Sequence, residues 1–233
     1  MGLFWKGIPH SVFPAIKKVL GSSIAAIETG TYKGKTTKIL ANFADSVTTI
    51  EADFGYYQRS KQTLQRIKNV TVLHGDSGVV IESALPSNQI SCMLWLDAHY
   101  SGGNTAGILN HCPLMSELHH ILASRNASNT VILIDDSRGL IGKSGWPLLS
   151  ELIGLLSQSG FSSIIIDDVL IASSIESLGT IAEDFSQSRT FTFERLGGRM
   201  SLVTRLAKSL GTITSTAYKI KHAYLFSKND SPQ

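Results

Sequence analysis

The chain has 233 residues, 42% of them hydrophobic and 17% charged, which suits one globular α/β domain with a sizeable core. The formal net charge of +3 is only mildly basic, so composition names no partner and we expect no nucleic-acid ligand. No apolar run reaches the roughly 18 residues of a membrane span, and the first residues lack the order of a secretion signal. Two cysteines, Cys92 and Cys112, are too few for a disulfide framework, so we expect a reduced, cytoplasmic protein.

Apolar runs alternate with helical patterns along the first two thirds of the chain. Within an N-terminal segment of residues 1–20, a short helix is predicted over residues 10–20. Later helices are predicted at Lys35–Phe43, Phe54–Ile67, Leu114–Ala123 and Trp146–Ser159. Strands are predicted at Ser23–Thr29, Val47–Glu51, Val70–His74, Ile90–Asp97 and Thr130–Asp135. Such alternation is typical of βαβ units, and it predicts a doubly wound, Rossmann-like α/β fold with a mostly parallel sheet.

The pattern changes after Gly160. Apolar runs at Phe161–Ile166 and Val169–Ala172 are followed by Thr190–Glu194 and Met200–Thr204, which suggest a hairpin. We therefore expect a seven-stranded sheet with an antiparallel hairpin at one edge. The polar stretch 173–188 fits neither pattern. Residues 206–226 predict a basic C-terminal helix and 227–233 a tail, so that residues 1–226 form a single domain.

A carboxylate stands at or just beyond the end of each of the first five predicted strands. An open parallel sheet binds its ligands just outside the carboxyl ends of its strands. We therefore expect these side chains to form the rim of one pocket. They are Glu28, Glu51, Asp76, Asp97 and the pair Asp135-Asp136.

The loop after the first strand contains glycines and precedes a helix, so that backbone N–H groups can face a ligand. A dinucleotide site needs G-x-G-x-x-G, but Tyr32 stands where the second glycine is required. A P-loop needs one more residue between its glycines than Gly30 and Gly34 leave, and it has no use for Glu28 beside its anion. A P-loop-like nucleotide-binding protein nevertheless stays an alternative, because the loop closes with Gly34-Lys35-Thr36.

The pattern Glu28-x-Gly30-x-x-x-Gly34 resembles motif I of class I S-adenosylmethionine-dependent methyltransferases. The ligand there is a sulfonium cation with an amino-acid tail, so the resemblance implies that Glu28 faces the ammonium group or a water bound to it. Glu51, 21 residues beyond Gly30, matches the acid that holds ribose hydroxyls in such sheets. Asp76 resembles the family's acid near the adenine amino group. The resemblance covers residues 20–172 and implies a cofactor site of Glu28, Gly30, Thr31, Tyr32, Gly34, Glu51, Asp76, Ser77 and Asp97.

Three further carboxylates, Asp97, Asp135 and Asp136, close the fourth and fifth strands. They would repel one another unless a cation lay between them, and Mg²⁺ prefers such oxygen ligands. The set resembles the metal site of macrocin-type sugar O-methyltransferases and is similar to that of catechol O-methyltransferases. In both groups the metal holds two vicinal oxygens of the acceptor. A bound metal also lowers the pKa of a hydroxyl and orients it.

His99 follows Asp97 by two residues and is the candidate general base, since the unperturbed pKa of histidine lies near neutrality. The macrocin-type group tends to carry an aspartate at the position of His99, so the chain departs from that pattern here. We predict an Mg²⁺-assisted O-methyltransferase, with His99 and Asp97 as catalytic residues, for a small polyhydroxylated acceptor such as a sugar or glycoconjugate. The chain could act as a homo-oligomer, and a non-methylating protein that binds S-adenosylmethionine is the other alternative.

Overall fold

The computed structural model describes residues 7–98, 112–140 and 145–187. One compact unit spans Phe4–Asp184, and it contains every element discussed below. The second unit, Met1–Leu3 with Phe185–Gln233, lies almost entirely outside the described residues. The predicted hairpin at 190–204, the predicted helix at 206–226 and the tail therefore fall outside them.

Seven strands form one sheet in the order β3-β2-β1-β4-β5-β7-β6. Strands β1 to β5 pair in parallel, whereas β7 runs antiparallel to both β5 and β6. This confirms the predicted doubly wound, mostly parallel seven-stranded sheet with an antiparallel edge hairpin. The strands are β1 (Ile24–Thr29), β2 (Ser46–Glu51), β3 (Val70–His74), β4 (Ser91–Leu96), β5 (Thr130–Ile134), β6 (Ser162–Ile166) and β7 (Val169–Ser173).

Helices connect the parallel strands, and two α-helical segments of the described residues were not predicted. One is α4, whose eight residues lie between β3 and β4, and the other begins at residue 175. Pro14 lies in the first turn of α1, where its missing N–H has no helical partner to lose. The helices are α1 (Phe13–Leu20), α2 (Lys35–Phe43), α3 (Phe54–Leu64), α4 (Ser77–Ala84), α5 (Leu114–Ser124) and α6 (Leu149–Gln158). Among the described residues, no helix combines the length and apolar character needed to cross a membrane.

The centre of the sheet is its most deeply buried part. All five residues of β5 are buried, and so are Cys92 to Leu96 of β4. On one face Leu94 and Ile132 belong to a core that includes Leu118 of α5 and Leu152 of α6. A strand buried on both faces holds its carboxyl end in a fixed position, so the loops that follow β4 and β5 start from a rigid platform.

The order of the strands reverses between β1 and β4. The chain leaves β1 towards β2 and β3 on one side, and returns to place β4 on the other side of β1. In open α/β sheets, ligands bind in the crevice that such a reversal leaves at the carboxyl ends of the strands. The candidate site is therefore the space above β1 and β4.

Candidate functional site

Gly30 brings the loop after β1 into close contact with the end of β4. Its φ is +85°, and a Cβ atom there would lie 2.6 Å from the carbonyl oxygen of Asp97. The same approach is held by the Asp97 N–H, which donates to the Thr29 carbonyl oxygen at 3.2 Å. Only glycine combines a positive φ with a backbone contact this close, so Gly30 defines the floor of the crevice.

Four backbone N–H groups of this loop already donate to acceptors of the protein. A P-loop instead points its N–H groups outward at a phosphate. These four N–H groups are therefore not free to bind a phosphate, which weighs against the P-loop alternative. The four bonds run from Gly30 (2.9 Å) and Thr31 (3.3 Å) to the Ile50 carbonyl oxygen, from Tyr32 to Glu51 Oε2 (2.7 Å), and from Gly34 to the Thr31 carbonyl oxygen (2.8 Å).

Glu51, at the end of β2, joins two loops of the rim. One carboxylate oxygen accepts from the Tyr32 N–H at 2.7 Å and the other from the Asp53 N–H at 2.9 Å. The side chain is only 8% exposed. Each carboxylate oxygen can accept more than one hydrogen bond, so Glu51 can still accept from a ligand hydroxyl.

Glu28 is buried beneath the loop rather than displayed on the rim. Its Oε2 accepts from Thr37 Oγ1 at 2.5 Å and from Thr49 Oγ1 at 2.7 Å. Thr49 gives its single hydroxyl proton to Glu28, so Thr31 is the donor in the 2.6 Å contact between Thr31 and Thr49. This chain of hydroxyls ties the loop, β2 and α2 to one carboxyl group. Sequence analysis identified Glu28 and Thr31 but missed Thr37 and Thr49.

Burial raises the pKa of Glu28 from its ordinary value of 4.5 to about 8. The hydrogen bonds from Thr37 and Thr49 oppose this rise, because they stabilise the ionised form. The negative charges of Asp97 and Glu51 add to it. Glu28 is therefore largely protonated at neutral pH in the ligand-free protein. A positive charge placed nearby would favour its ionisation.

Asp76 lies beyond β3, on the same edge of the sheet as Glu51. The Gly75 N–H donates to the Glu51 carbonyl oxygen at 3.0 Å and joins the two strand ends. The Asp76 carboxylate caps α4 by accepting from the Gly78 N–H at 2.8 Å, and the adjacent Ser77 is buried. Three of the four acids predicted for the cofactor thus lie at or just beyond the ends of β1, β2 and β3, neighbouring strands on one side of the crevice, whereas the fourth, Asp97, follows β4.

Arg138 binds two aspartates beyond β5. Its guanidinium group pairs with Asp136 and with Asp168, and its backbone N–H donates to Asp168 Oδ1 at 3.0 Å. Asp168 is 3% exposed and also accepts from Ser137 Oγ at 3.3 Å. From the sequence, Asp168 is expected only in a turn or edge-strand pair between the apolar runs Phe161–Ile166 and Val169–Ala172. The turn is present, but Asp168 also fixes the segment that carries the predicted metal ligands.

The predicted metal ligands Asp97, Asp135 and Asp136 follow the neighbouring strands β4 and β5. The Asp135 N–H donates to the Leu96 carbonyl oxygen at 3.1 Å, which holds the two strand ends together. Within residues 7–98, 112–140 and 145–187, however, no three His, Cys, Asp or Glu side chains form a group that could hold a metal ion. The described residues do not form the predicted centre, and Asp136 binds Arg138 instead. His99, the predicted base, lies outside the described residues.

Comparisons with known proteins show the fold. No protein-family model matches the chain, and no curated protein matches its sequence. The O-methyltransferase TomG of Streptomyces achromogenes, solved with S-adenosylmethionine, has a TM-score of 0.55 and 15% identity over 73% of this chain and 82% of that chain. A Streptococcus mutans protein assigned as a methyltransferase, solved with S-adenosylhomocysteine, has a TM-score of 0.50 and 16% identity over 72% and 99%.

A Staphylococcus aureus protein assigned as a caffeoyl-CoA O-methyltransferase gives a TM-score of 0.50 and 17% identity over 71% of this chain and 83% of that chain. The chain therefore has the fold of class I S-adenosylmethionine-dependent methyltransferases. At these identities the likeness extends to the fold alone. The closer resemblance to the macrocin-type group stays a prediction of the sequence.

Proposed function

We propose that the chain transfers a methyl group from S-adenosylmethionine to a hydroxyl of a small polyhydroxylated acceptor, such as a sugar or glycoconjugate. The observation that carries this proposal is the crevice between β1 and β4. There Gly30 lies against the Asp97 backbone, and the buried carboxyl group of Glu28 lies below the loop. A cationic ligand without phosphates matches both a buried acid and a loop in which four N–H groups already donate to the protein.

Each of the three carboxylates Glu28, Glu51 and Asp76 has a distinct proposed role toward the cofactor. Glu28 favours the ammonium group through its charge, Glu51 accepts from the ribose hydroxyls, and Asp76 with Ser77 lies beside the adenine. The segment Thr31 to Gly34 covers the cofactor from the β1 side. These assignments rest on position: Glu28 and Glu51 lie at the ends of β1 and β2, and Asp76 follows β3, the neighbouring strand.

When bound, the cofactor supplies an electrophilic methyl group. Transfer forms a bond between the methyl carbon and the acceptor oxygen, breaks the carbon–sulfur bond and releases the hydroxyl proton to a base. In this proposal His99 is the base that accepts the proton. Asp97, which follows β4 at the mouth of the crevice, orients the acceptor. Holding the hydroxyl in line with the methyl group supplies much of the rate enhancement in such a displacement.

Isothermal titration calorimetry tests the cofactor. We expect S-adenosylmethionine and S-adenosylhomocysteine to bind with dissociation constants in the roughly micromolar to millimolar range of enzyme substrates, and ATP not to bind. No binding of either compound at millimolar concentration would contradict the proposal. Binding of ATP instead would support the nucleotide-binding alternative.

Turnover distinguishes an enzyme from a protein that only binds the cofactor. With a panel of sugars and glycoconjugates, we expect S-adenosylhomocysteine to accumulate together with one equivalent of methylated acceptor. A cofactor that binds but is consumed with no hydroxylated acceptor would identify a non-methylating binder.

Mg²⁺ assistance by Asp97, Asp135 and Asp136 is a separate part of the proposal, and the transfer described above uses no metal ion. Because Arg138 binds Asp136, an incoming Mg²⁺ would compete with the guanidinium group for the same carboxylate. We expect Arg138→Gln to tighten Mg²⁺ binding about fivefold, since a half-exposed ion pair contributes about 1 kcal/mol or less.

Calorimetry with MgCl₂ measures this effect, and Arg66→Gln is the matched control on an exposed arginine of the β3 side of the sheet. Absence of Mg²⁺ binding in every variant would remove the metal from the proposal. Full turnover in the presence of a chelator would do the same.

A further inference from the structure

An exposed surface of aromatic and basic side chains lies on α3, away from the β4 and β5 strand ends. We call it the α3 surface, and it consists of the exposed side chains of Phe54, Arg59, Lys61 and His74, the last at the end of β3, and the half-buried side chains of Tyr56 and Tyr57. Tyr32 of the glycine loop adjoins it, because its ring centroid lies 4.6 Å from that of Tyr56. The proposed methyl transfer uses none of the six residues.

Lysines and arginines are concentrated on this side of the molecule. Residues 29–44 and 54–75 contain seven of the 21 Lys and Arg residues, and the exposed or half-buried acids that border these segments are Asp45, Asp53 and Asp76. All seven side chains are exposed: Lys33, Lys35, Lys38, Arg59, Lys61, Arg66 and Lys68. The two segments are neighbours, since a Cβ at Gly34 would lie 3.1 Å from Leu64 at the end of α3. The net charge of +3 for the whole chain thus conceals a basic face.

Rings and cations alternate across the α3 surface. The His74 ring lies 5.4 Å from Phe54 and 5.0 Å from Tyr57, between centroids. Arg59 lies 5.8 Å from the Tyr56 ring, and Lys61 lies 5.3 Å from the Tyr57 ring. Phe54 is 61% exposed, so a large planar group is available to a partner.

The rest of the exposed face of α3 is polar. Gln58, Gln62 and Gln65 line a shallow groove together with Arg59 and Lys61. A helix that inserts into a membrane surface needs a broad apolar face, and here Phe54 is the one large hydrophobic side chain exposed on α3. Amide side chains and cations beside rings suit a polyanion with planar bases instead.

We propose that the α3 surface is a docking site for single-stranded nucleic acid. Unpaired bases stack on exposed aromatic rings whatever their identity, while adjacent lysines and arginines contact the phosphates. Duplex nucleic acid hides the faces of its bases, so it gains only the phosphate contacts. This proposal does not depend on the methyl-transfer proposal, because its surface and its ligand are different.

Fluorescence anisotropy with a labelled single-stranded oligouridine of about 12 nucleotides, within the usual range of site sizes, tests the proposal. We expect binding at low salt with a slope of log K against log salt near −2, as about three neutralised phosphates give. Arg59→Glu combined with Lys61→Glu should reduce this slope by more than half. Phe54→Ala should weaken binding about tenfold, the loss typical of one stacked base, with little change in the salt slope.

Lys17→Glu, at an exposed position of α1, is the control for one charge reversal and is compared with Lys61→Glu alone; it should retain most of the affinity. Circular dichroism and S-adenosylmethionine binding, measured on the same samples, separate loss of docking from loss of fold or of the cofactor site. Absence of oligouridine binding, equal loss in the Lys17 variant, or equal affinity for the duplex would each overturn the proposal. Preference for vesicles containing phosphatidylserine would overturn it in favour of a membrane surface.

Discussion

Replacing Gly30 with alanine is expected to destroy the cofactor site and to lower the free energy of unfolding by about 3 kcal/mol. The new Cβ would lie 2.6 Å from the carbonyl oxygen and 3.0 Å from the carbonyl carbon of Asp97, both backbone atoms. Relief requires the loop and the end of β4 to separate. That movement would change the crevice on which the proposed ligand depends.

Gly160→Ala separates backbone strain from the close contact. Gly160 also has a positive φ, +79°, but nothing lies within 4 Å of a Cβ built there. We expect Gly160→Ala to lower the free energy of unfolding by about 1 kcal/mol and to leave the affinity for S-adenosylhomocysteine unchanged. Gly30→Ala should weaken that affinity more than about 100-fold, a loss of about 3 kcal/mol.

Urea denaturation and calorimetry on both variants measure the two effects. Equal destabilisation of the two variants, with ligand affinity intact in Gly30→Ala, would show that the contact with Asp97 does not matter. A selective loss in Gly30→Ala would place the ligand against the glycine loop.

Strands β1 to β5 could be predicted because their signals are local. Each is a short, mostly apolar run with a carboxylate at or just beyond its end, and β3 begins and ends where its sequence pattern indicates. Helix α4 was missed because it has eight residues and exposes Val79, so it lacks a clear amphipathic period. Asp76 was interpreted only as a ligand residue, although an Asp before a short helix is also a capping signal.

Contacts made through the sheet order could not be predicted. Arg138 and Asp168 are 30 residues apart, and they meet because β7 inserts between β5 and β6. The basic face has the same origin: its two charged segments become neighbours through the packing of α2 and α3 on β1, β2 and β3. The net charge of the whole chain does not show such local clusters of charge, which form when the fold brings the segments together.

Glu28→Gln is expected to remove a large pH dependence of stability. The folded-state pKa of about 8 lies above the ordinary value of 4.5, so between these values the folded chain holds a proton that the unfolded chain has lost. Stability from this group is therefore fully present below about pH 4.5 and is lost as the pH rises through about 8. Within that window the free energy of unfolding should fall by about 1.4 kcal/mol per pH unit from Glu28 alone.

Glutamine has the shape of the protonated acid but does not titrate, and its oxygen can still accept hydrogen bonds from Thr37 and Thr49. In the variant, the free energy of unfolding should therefore lose the pH dependence that Glu28 contributes. From about pH 5.5 to about pH 7.5, we expect the variant to gain about 3 kcal/mol relative to the wild type. Urea denaturation across this range measures the difference. Glu176→Gln, on an exposed helical residue, is the control for the loss of one carboxylate, and it should follow the wild-type curve.

The same group should couple the binding of a cationic ligand to the release of a proton. If S-adenosylmethionine places its ammonium group near Glu28, binding lowers the pKa of the carboxyl group and expels its proton near neutral pH. The affinity of the wild type should then rise with pH up to about 8, by as much as tenfold per unit, while that of Glu28→Gln stays low and flat. Calorimetry in buffers of different ionisation enthalpy counts the protons released. Parallel pH profiles for the two proteins would mean that Glu28 only anchors the loop through Thr37 and Thr49, and that the ligand's positive charge is balanced elsewhere.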